Sequence, residues 1–318
     1  MAHRIGVIGT FIRDTIITLD GRRVESIGGL YHTMAYLAHV VDDNTEIQPL
    51  CHVGEDFYDA ICDTLARFKK NITFDSLHRI SQPNTQVKLI YRTPETRDEM
   101  TSQTMPPITT GEIAALAACN SILVNLISGD DITLEALKNL RKLTPCPLIY
   151  LDLHSLALGI DAAGKRFYRG IPDWPEWVAA CDILQMNERE AAVLMGLDGR
   201  VTYEDLVKLG RRLVTEKLPA CHITLGSAGS LLFYCNAENE IGYEHCPSTK
   251  VSQVIDIIGC GDAFGAAFLA HFVRTKNFST ATHFANKVAG LNCTFMGSLT
   301  PEIFQKVIKP QLDNAIAA

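Results

Sequence analysis

The sequence has no long apolar run, no excess of basic residues and no paired cysteine motif. No run approaches the roughly 20 apolar residues that a membrane span needs, and the start, Met-Ala-His-Arg-Ile, lacks the apolar region of a signal peptide. Asp and Glu total 36 against 29 Lys and Arg, and this acidic balance argues against a general nucleic-acid binder. We therefore expect a cytoplasmic protein that binds neither membranes nor nucleic acids.

The cysteines are numerous but scattered. There are ten of them, and none forms a Cys-x-x-Cys pair, the spacing of zinc and redox sites. Several lie in apolar runs, where cysteine behaves as a small hydrophobic residue. A chain of 318 residues with 47% hydrophobic residues can bury a large core without disulfides. The pattern therefore favours reduced core thiols in a cytosolic protein.

Short apolar strands alternate with helices in the second half of the chain. The pattern predicts strands at Ser121–Leu126, Leu148–Asp152, Ile183–Met186 and Ala220–Leu225, and helices at Thr133–Leu143, Glu188–Met195 and Tyr203–Lys217. Nearer the start, a helix is predicted at Leu30–Val40 and a strand at Ile47–Val53. Such alternation is typical of a parallel sheet covered on both faces, so the predicted fold class is α/β.

Two early segments do not follow this alternation. Ile16–Leu19 and Arg22–Ile27, joined by Asp20-Gly21, predict a β-hairpin. Thr85–Arg92 alternates polar and apolar residues, as a strand with one solvated face does, and a polar segment with prolines follows it. We expect a small separate sheet, a lid formed by about residues 14–28 and 85–107, beside a single domain that spans residues 1–318.

Two glycine patterns resemble nucleotide-binding motifs but are incomplete. Residues 159–166 match a P-loop except at the last place, where Arg166 has no hydroxyl to hold Mg²⁺. No helix start follows, so this pattern indicates a chance match in a loop. Gly6-Val-Ile-Gly9 lacks the third glycine of a dinucleotide-binding fingerprint.

A third glycine pattern precedes an apolar, hence buried, helix within residues 254–273. Gly259, Cys260 and Gly261 stand at the predicted start of this helix, where free N–H groups and the helix dipole form an anion site. Asp262 lies at the mouth of the site. Its carboxylate can cap the helix, or it can take the proton of a hydroxyl that attacks a phosphoryl group. Spacing alone slightly favours the cap.

This stretch resembles the ribokinase/PfkB family of carbohydrate and nucleoside kinases. Asp256-Ile-Ile-Gly-Cys-Gly-Asp-Ala-Phe264 stands where the family has Asp-Thr-Thr-Gly-Ala-Gly-Asp-Ala-Phe. Further elements match the family in the same order: Gly9–Asp14, Gly28-Gly29, Val53–Asp56, Asn187–Glu190 and Thr224–Gly229. Six elements in the right order are far more specific than any one of them.

The resemblance implies a ribokinase-like three-layer α/β/α domain, with a central, mostly parallel sheet and a small β-sheet lid. It also implies ATP-dependent transfer of the γ-phosphoryl group to a hydroxyl of a sugar or nucleoside, and it permits a homodimer through the lid. The resemblance implies that Asp262 is the base and that the N–H groups of Gly259, Cys260 and Gly261 stabilise the transferring group. It implies that the substrate is bound by Asp14, Gly28, Gly29 and Thr33, and that ATP is bound by Thr224, Gly226, Gly229 and Asn286. It also implies that Mg²⁺ is held through water by Asn187 and Glu190.

The chain departs from the family pattern at several places. Ile257 and Ile258 replace two threonines, which puts a monovalent-cation site in doubt, and Thr33 replaces a substrate-binding Asn. Asp152-Leu-His154 stands in place of Asp-x-Asn. These departures motivate an alternative, a catalytically impaired kinase-fold protein that binds sugars or nucleotides. The retained Asp262 favours an active kinase. Cys260 has either a lowered thiol pKa or the role of an inert small side chain.

Overall fold

The computed structural model describes residues 3–68, 71–93, 97–197, 201–215, 218–236 and 238–313. The strands are β1 (Arg4–Ile8), β2 (Phe11–Ile17), β3 (Arg23–Gly29), β4 (Glu46–Gly54), β5 (Leu77–Ile80), β6 (Gln86–Tyr91), β7 (Arg97–Thr101), β8 (Ser121–Asn125), β9 (Leu148–Asp152), β10 (Leu158–Ile160), β11 (Arg166–Tyr168), β12 (Ile183–Asn187), β13 (Ala220–Thr224), β14 (Ser230–Cys235) and β15 (Ile241–Cys246). The α-helices are α1 (Leu30–Val40), α2 (Tyr58–Leu65), α3 (Leu134–Leu140), α4 (Trp174–Ala179), α5 (Glu188–Met195), α6 (Tyr203–Thr215), α7 (Cys260–Thr275), α8 (Phe278–Asn292), α9 (Pro301–Ile303) and α10 (Lys309–Asp313). Shorter 3₁₀ turns lie at Ile113–Leu116, His154–Ala157 and Gly226–Ala228, and a π-helical turn lies at Phe304–Ile308.

The main sheet has nine strands in the order β15-β14-β13-β12-β9-β8-β1-β4-β5. The seven strands from β13 to β5 are parallel, and β14 and β15 add an antiparallel edge. Helices α1, α2, α7 and α8 cover one face and α3 to α6 the other, each with its own apolar core. The parallel strands are apolar along their length because both of their faces are buried. The predicted three-layer α/β architecture is confirmed.

A second sheet of four strands, in the order β3-β2-β6-β7, stands apart from the main sheet. Its small apolar core consists of Ile12, Ile16, Val87, Leu89 and Ile127. This sheet confirms the small separate sheet expected from the early segments. We call it the lid sheet. Residues 94–96, within the predicted lid, lie outside the described residues.

Several local predictions were wrong in their details. The hairpin is longer than predicted, because β2 begins at Phe11 and β3 runs to Gly29. The supposed loop at residues 159–166 contributes to an antiparallel hairpin of β10 and β11. Strand β7, by contrast, lies in the lid sheet, within the predicted lid. The helix predicted to end at Lys217 is described as far as Thr215. No helix in the described part of the chain is both long and apolar enough to cross a membrane.

Candidate active site

A cavity of about 390 Å³ lies where the carboxyl ends of the parallel strands meet the lid sheet. Open parallel α/β sheets bind ligands at this edge. The residues lining it include Asp14, Asn187, Glu190, Thr224 and Asp262, together with the turn from Ile257 to Gly261. A larger cavity of about 640 Å³ lies along the outer side of α5. Its described lining includes none of the predicted site residues, so we assign the chemistry to the smaller cavity.

The glycine turn before α7, for which the sequence predicts an anion site, lines the cavity. Gly259 precedes the helix with φ of 77°, a left-handed conformation that favours glycine. The ring of His32 lies directly against it, since a Cβ added at Gly259 would stand 2.7 Å from Nδ1 of His32. No side chain caps the helix. Gly259, Cys260 and Gly261 line the cavity without a capping carboxylate, and the Cys260 N–H donates to the carbonyl of Ile257 at 3.4 Å.

Asp262 is buried and does not cap α7, so the capping interpretation is wrong. Its Oδ1 instead accepts hydrogen bonds from Nδ2 of Asn125, at 2.6 Å, and from Oγ1 of Thr33, at 3.4 Å. Nδ2 of Asn125 also donates to Oγ1 of Thr33, at 3.0 Å. Thr33, predicted to bind substrate, thus contacts Asp262 and is not among the residues that line the cavity. Asn125 was not predicted.

Asp14 stands at the other end of the cavity, on β2, opposite Ser26 of β3. Its carboxylate covers Gly28, where an added Cβ would overlap Oδ2 of Asp14. Gly29 has φ of 60° and is close to the carbonyl oxygen of Thr10, so a side chain there would also collide. The di-glycine lets the buried carboxylate of Asp14 lie flat on β3, and Gly29 continues the cavity wall into α1.

Asn187 and Glu190 form a capping box at the start of α5. Oδ1 of Asn187 accepts from the Glu190 N–H at 3.0 Å, and Oε2 of Glu190 accepts from the Asn187 N–H at 2.8 Å. Nδ2 of Asn187 also donates to Oε1 of Glu190 at 2.6 Å. Burial raises the pKa of Glu190 to about 8. Both side chains line the cavity, so the box serves the helix and the cavity at once.

A fourth buried carboxylate, Asp152, ends strand β9. Burial, followed by the negative charges of Glu190 and Asp262, raises the pKa of Asp152 well above its ordinary value. Its Oδ2 accepts from Nε2 of Gln185 at 2.8 Å, and the same nitrogen donates to the carbonyl of Gly261 at 3.1 Å. Asp152, Glu190 and Asp262 thus interact electrostatically beside the glycine turn, and we call them the carboxylate cluster. Their oxygen atoms do not converge as closely as those of a ready-made ion site among the described residues. Carboxyl oxygens are ligands that a hard divalent cation prefers.

The residues predicted to bind nucleotide are not all on the cavity. Thr224, at the end of β13, lines it. Gly226 has φ of 55° with open space around it, and Gly229 is packed so closely on the carbonyl of Cys246 that any side chain would overlap it. Asn286 is buried, and its Nδ2 donates to Oγ of Ser230 at 2.9 Å and to the carbonyl of Cys246 at 3.2 Å. Asn286 thus fastens α8 to the edge strands.

Cys260 does not have the lowered thiol pKa considered from the sequence. Its Sγ lies 3.3 Å from Sγ of Cys293, and the hydrogen bond to Cys293 together with burial raises the pKa of Cys260 well above its ordinary value. The same hydrogen bond lowers the pKa of Cys293 to about 7. The more reactive thiol of the pair is therefore Cys293, which carried no motif.

Four further residues line the cavity: the histidines His32 and His154, and the charged residues Glu99 and Arg166. The sequence leaves His32 evenly between a substrate contact and a helix-surface histidine, and it assigns no ligand role to the other three. Burial lowers the pKa of both histidines, so they are neutral near pH 7. His154 has φ of 37°, an unusual conformation for a residue that is not glycine. It occupies the place of the family's Asn after β9. A polar residue two positions after the end of a buried parallel strand is the signal that points to it.

Comparisons with known proteins agree with this geometry. A model of the pfkB family carbohydrate kinases matches residues 165–303. A ribokinase of Arabidopsis thaliana is 30% identical over 132 residues, which cover 39% of this chain and 31% of the relative. The chain thus matches about a third of that relative's length.

Solved structures extend the likeness to nearly the whole chain. A pyrophosphate-dependent kinase in the ribokinase family, solved as a sulfate complex, is 20% identical with a TM-score of 0.75, covering 95% of this chain and 99% of its own. Arabidopsis thaliana ribokinase complexed with ribose and ATP is 19% identical with a TM-score of 0.73, covering 94% and 95%. At these identities the structures show a shared fold. The resemblance to the ribokinase/PfkB family is confirmed.

Proposed function

We propose that this protein is a kinase that transfers the γ-phosphoryl group of ATP to a hydroxyl group of a sugar or nucleoside. The observation that carries the proposal is the position of Asp262. Its buried carboxylate lies on the first turn of α7, directly after the glycine turn, and is held by Asn125 without capping the helix. A carboxylate placed beside an anion site has no evident structural duty, but it suits a general base for phosphoryl transfer.

Asp14 and Asp262, at the two ends of the cavity, would have different roles. Asp14 lies at the lid sheet, where its carboxylate would accept hydrogen bonds from acceptor hydroxyls and orient the reacting one toward Asp262. Asp262 would take the proton of that hydroxyl as it attacks phosphorus. The N–H groups of the turn at Gly259, Cys260 and Gly261 would stabilise the charge that develops on the transferring group. The lid sheet would exclude water and limit wasteful hydrolysis of the donor.

The donor set of the carboxylate cluster fits Mg²⁺, which prefers oxygen ligands and retains several waters. Asn187 and Glu190 would hold the ion through water, and Asp152 adds negative charge nearby. Burial raises the pKa of Glu190 and Asp152, and a nearby cation would favour their charged forms. Mg²⁺ would neutralise charge on the donor phosphates. Thr224 and the turn at Gly226 would lie along those phosphates.

The choice of donor rests on the loop from Thr224 to Gly229, because its sequence resembles the family's nucleotide loop. One protein of the same fold is described as pyrophosphate-dependent, so pyrophosphate belongs in the test. The alternative of a ligand-binding protein without transfer is separated from the kinase by whether a phosphorylated product forms.

The experiment incubates the purified protein with Mg²⁺, a panel of sugars and nucleosides, and either ATP or pyrophosphate, and detects product by mass spectrometry. Asp262→Asn should lower the turnover with the best acceptor by about 10²- to 10⁴-fold and leave the melting temperature nearly unchanged. Asp173→Asn, at an exposed aspartate that makes no capping bond, is the control. If product forms with pyrophosphate and not with ATP, the phosphoryl donor is pyrophosphate. Acceptor binding without any phosphorylated product would overturn the proposal that the protein is a kinase.

A further inference from the structure

The hairpin of β10 and β11 joins the lid sheet to the cavity. Its strands pair from Leu158 with Tyr168 to Ile160 with Arg166. The hairpin is also fastened to β7, because the Thr101 N–H donates to the carbonyl of Gly164 at 2.7 Å. The incomplete P-loop pattern therefore belongs to a built part of the site, and its last residue, Arg166, enters the cavity.

Arg166 is a buried cation with several partners. Its side chain is only 5% exposed and lies 3.3 Å from Oε1 of Glu99 on β7, measured from Nε. The same Nε donates to Oγ1 of Thr101 at 3.0 Å, and Nη1 donates to the carbonyl of Ser128 at 3.4 Å. Burial lowers the pKa of Arg166, against the opposing charge of Glu99. Arginine nevertheless remains charged in proteins.

This ion pair has the features of a ligand site. Burying an ion pair is a poor way to gain stability, because desolvation offsets the attraction between the charges. Here the pair is also placed on the cavity wall, between apolar residues of the lid sheet, Val87 and Leu89, and the hairpin residue Leu158. Glu99 is 32% exposed at its side chain, so its carboxylate remains open to a ligand.

The charges at the lid end of the cavity disfavour an anionic acceptor. Among the described residues that line the cavity, Asp14 and Glu99 are the carboxylates at this end and Arg166 is the single Lys or Arg. Arg166 is already paired with Glu99. A phosphate or carboxylate on the acceptor would therefore meet two negative charges and only one positive charge, which Glu99 already balances. A hydroxyl group, by contrast, donates to a carboxylate and accepts from a guanidinium at the same time.

We propose that Glu99 and Arg166 form a specificity-determining pair that selects uncharged polyhydroxylated acceptors and rejects acceptors that already carry a phosphate or carboxylate group. This inference rests on the proposed function. The pair acts through the lid sheet and the hairpin, so it contacts the acceptor on the side away from Asp262. Arg166 donates to acceptor oxygens, and Glu99 repels a second anionic group.

The test measures kcat and KM for ribose, fructose and inosine against ribose 5-phosphate, fructose 6-phosphate and gluconate. The wild-type protein should prefer its best uncharged acceptor by at least about 100-fold in kcat/KM, since like charges brought together cost several kcal/mol. Arg166→Met should raise KM for that acceptor about 10- to 100-fold, with a smaller change in kcat. Glu99→Gln should lower the ratio of kcat/KM for uncharged acceptors to kcat/KM for charged acceptors by about 10-fold or more. Lys165→Met, at the exposed neighbouring residue, is the matched control.

Preference of the wild-type protein for a phosphorylated or carboxylated acceptor would overturn the proposal. So would Arg166→Met and Glu99→Gln variants that keep the KM values of Lys165→Met. Arg166→Lys, which keeps the charge but loses the planar fork, serves if the Met variant does not fold. It should still raise KM.

A binding measurement distinguishes failure of the kinase proposal from failure of the proposed Glu99–Arg166 pair. If no acceptor is phosphorylated, thermal shift with the same six compounds still tests the pair. Uncharged compounds should stabilise the wild-type protein, and Arg166→Lys should weaken that stabilisation. Stabilisation by the charged compounds only would overturn the pair's role, independently of catalysis.

Discussion

Nδ2 of Asn125 donates a hydrogen bond of 2.6 Å to Oδ1 of Asp262, although 137 residues separate them. Asn125 is the last residue of β8 and is almost fully buried. Its Oδ1 has no hydrogen-bond partner among the described residues. The bond joins the carboxyl end of the sheet to the first turn of α7. Asn125 is therefore a positioning residue for the proposed base.

Replacing Asn125 with Leu, which has a similar volume, should lower kcat and leave the acceptor KM nearly unchanged. A hydrogen bond to a charged group is worth about 1.5–3 kcal/mol, so we expect a loss of about 10- to 100-fold. Steady-state kinetics at saturating donor separates the two constants. Asn125→Asp, which cannot donate and adds a second carboxylate, should lose more. A folded Asn125→Leu protein with raised KM and unchanged kcat would show that Asn125 serves binding instead.

Gly259→Ala should lower the free energy of unfolding more than Gly226→Ala does. Both glycines have positive φ, which costs about 1–2 kcal/mol for a residue with a side chain. At Gly226 nothing lies within 4 Å of the added Cβ, whereas at Gly259 the ring of His32 lies 2.7 Å away. Urea unfolding should show a loss of about 1–2 kcal/mol for Gly226→Ala and a larger one for Gly259→Ala. His32→Ala should recover part of the excess; equal losses at the two glycines would contradict the contact.

The main elements could be predicted because their signals are local. The apolar run of β9 and the amphipathic start of α5, with Asn187 and Glu190 three residues apart, carry their own boundaries. Strand β7 and the hairpin of β10 and β11 do not. They pair with remote chain segments, as Thr101 does with Gly164, and their short sequences contain Gly and charged residues that also suit loops.

The candidate site was predicted only where a motif names a residue. Asp14 and Asp262 line the cavity as expected, whereas Thr33 bonds to Asp262 behind the lining and Asn286 bonds to Ser230. Asn125 ends a parallel strand and could have been found from that position. Arg166 reaches the cavity only because the hairpin is fastened to the lid sheet, and no local pattern contains that contact.

Cys293 should be alkylated faster near neutral pH than a cysteine with an ordinary thiol pKa. The hydrogen bond from Cys260 lowers the pKa of Cys293 to about 7, and the thiolate is the reactive form. The rate of modification by iodoacetamide, followed by peptide mass spectrometry, should rise with pH with a midpoint near 7. The exposed Cys146 provides an internal reference.

Cys260→Ala removes the donor and should move the Cys293 midpoint to higher pH, because the thiolate then loses its main stabilising partner. A wild-type midpoint near the ordinary thiol value of about 8.5, or one that Cys260→Ala leaves unchanged, would contradict the thiol pair.

His222 should make the fold less stable in mild acid. It is fully buried on β13, packs on Phe264 and Phe268, and bonds through Nε2 to Oγ1 of Thr282 at 3.0 Å. Burial lowers the pKa of His222 from 6.5 to about 3. Below pH 6.5 the unfolded chain therefore binds a proton that the folded chain does not, so this stability is lost as pH falls toward 3.

The loss from His222 alone should be about 2 kcal/mol between pH 7 and pH 5. Other groups also titrate there, so the quantity to measure is the difference between the wild-type protein and His222→Gln in urea unfolding at both pH values. The Gln amide can still bond to Thr282 but cannot titrate. His283→Gln, at a half-exposed histidine on α8, should keep the wild-type pH dependence. If His222→Gln loses as much stability as the wild-type protein, His222 is already protonated or hydrated in the folded state.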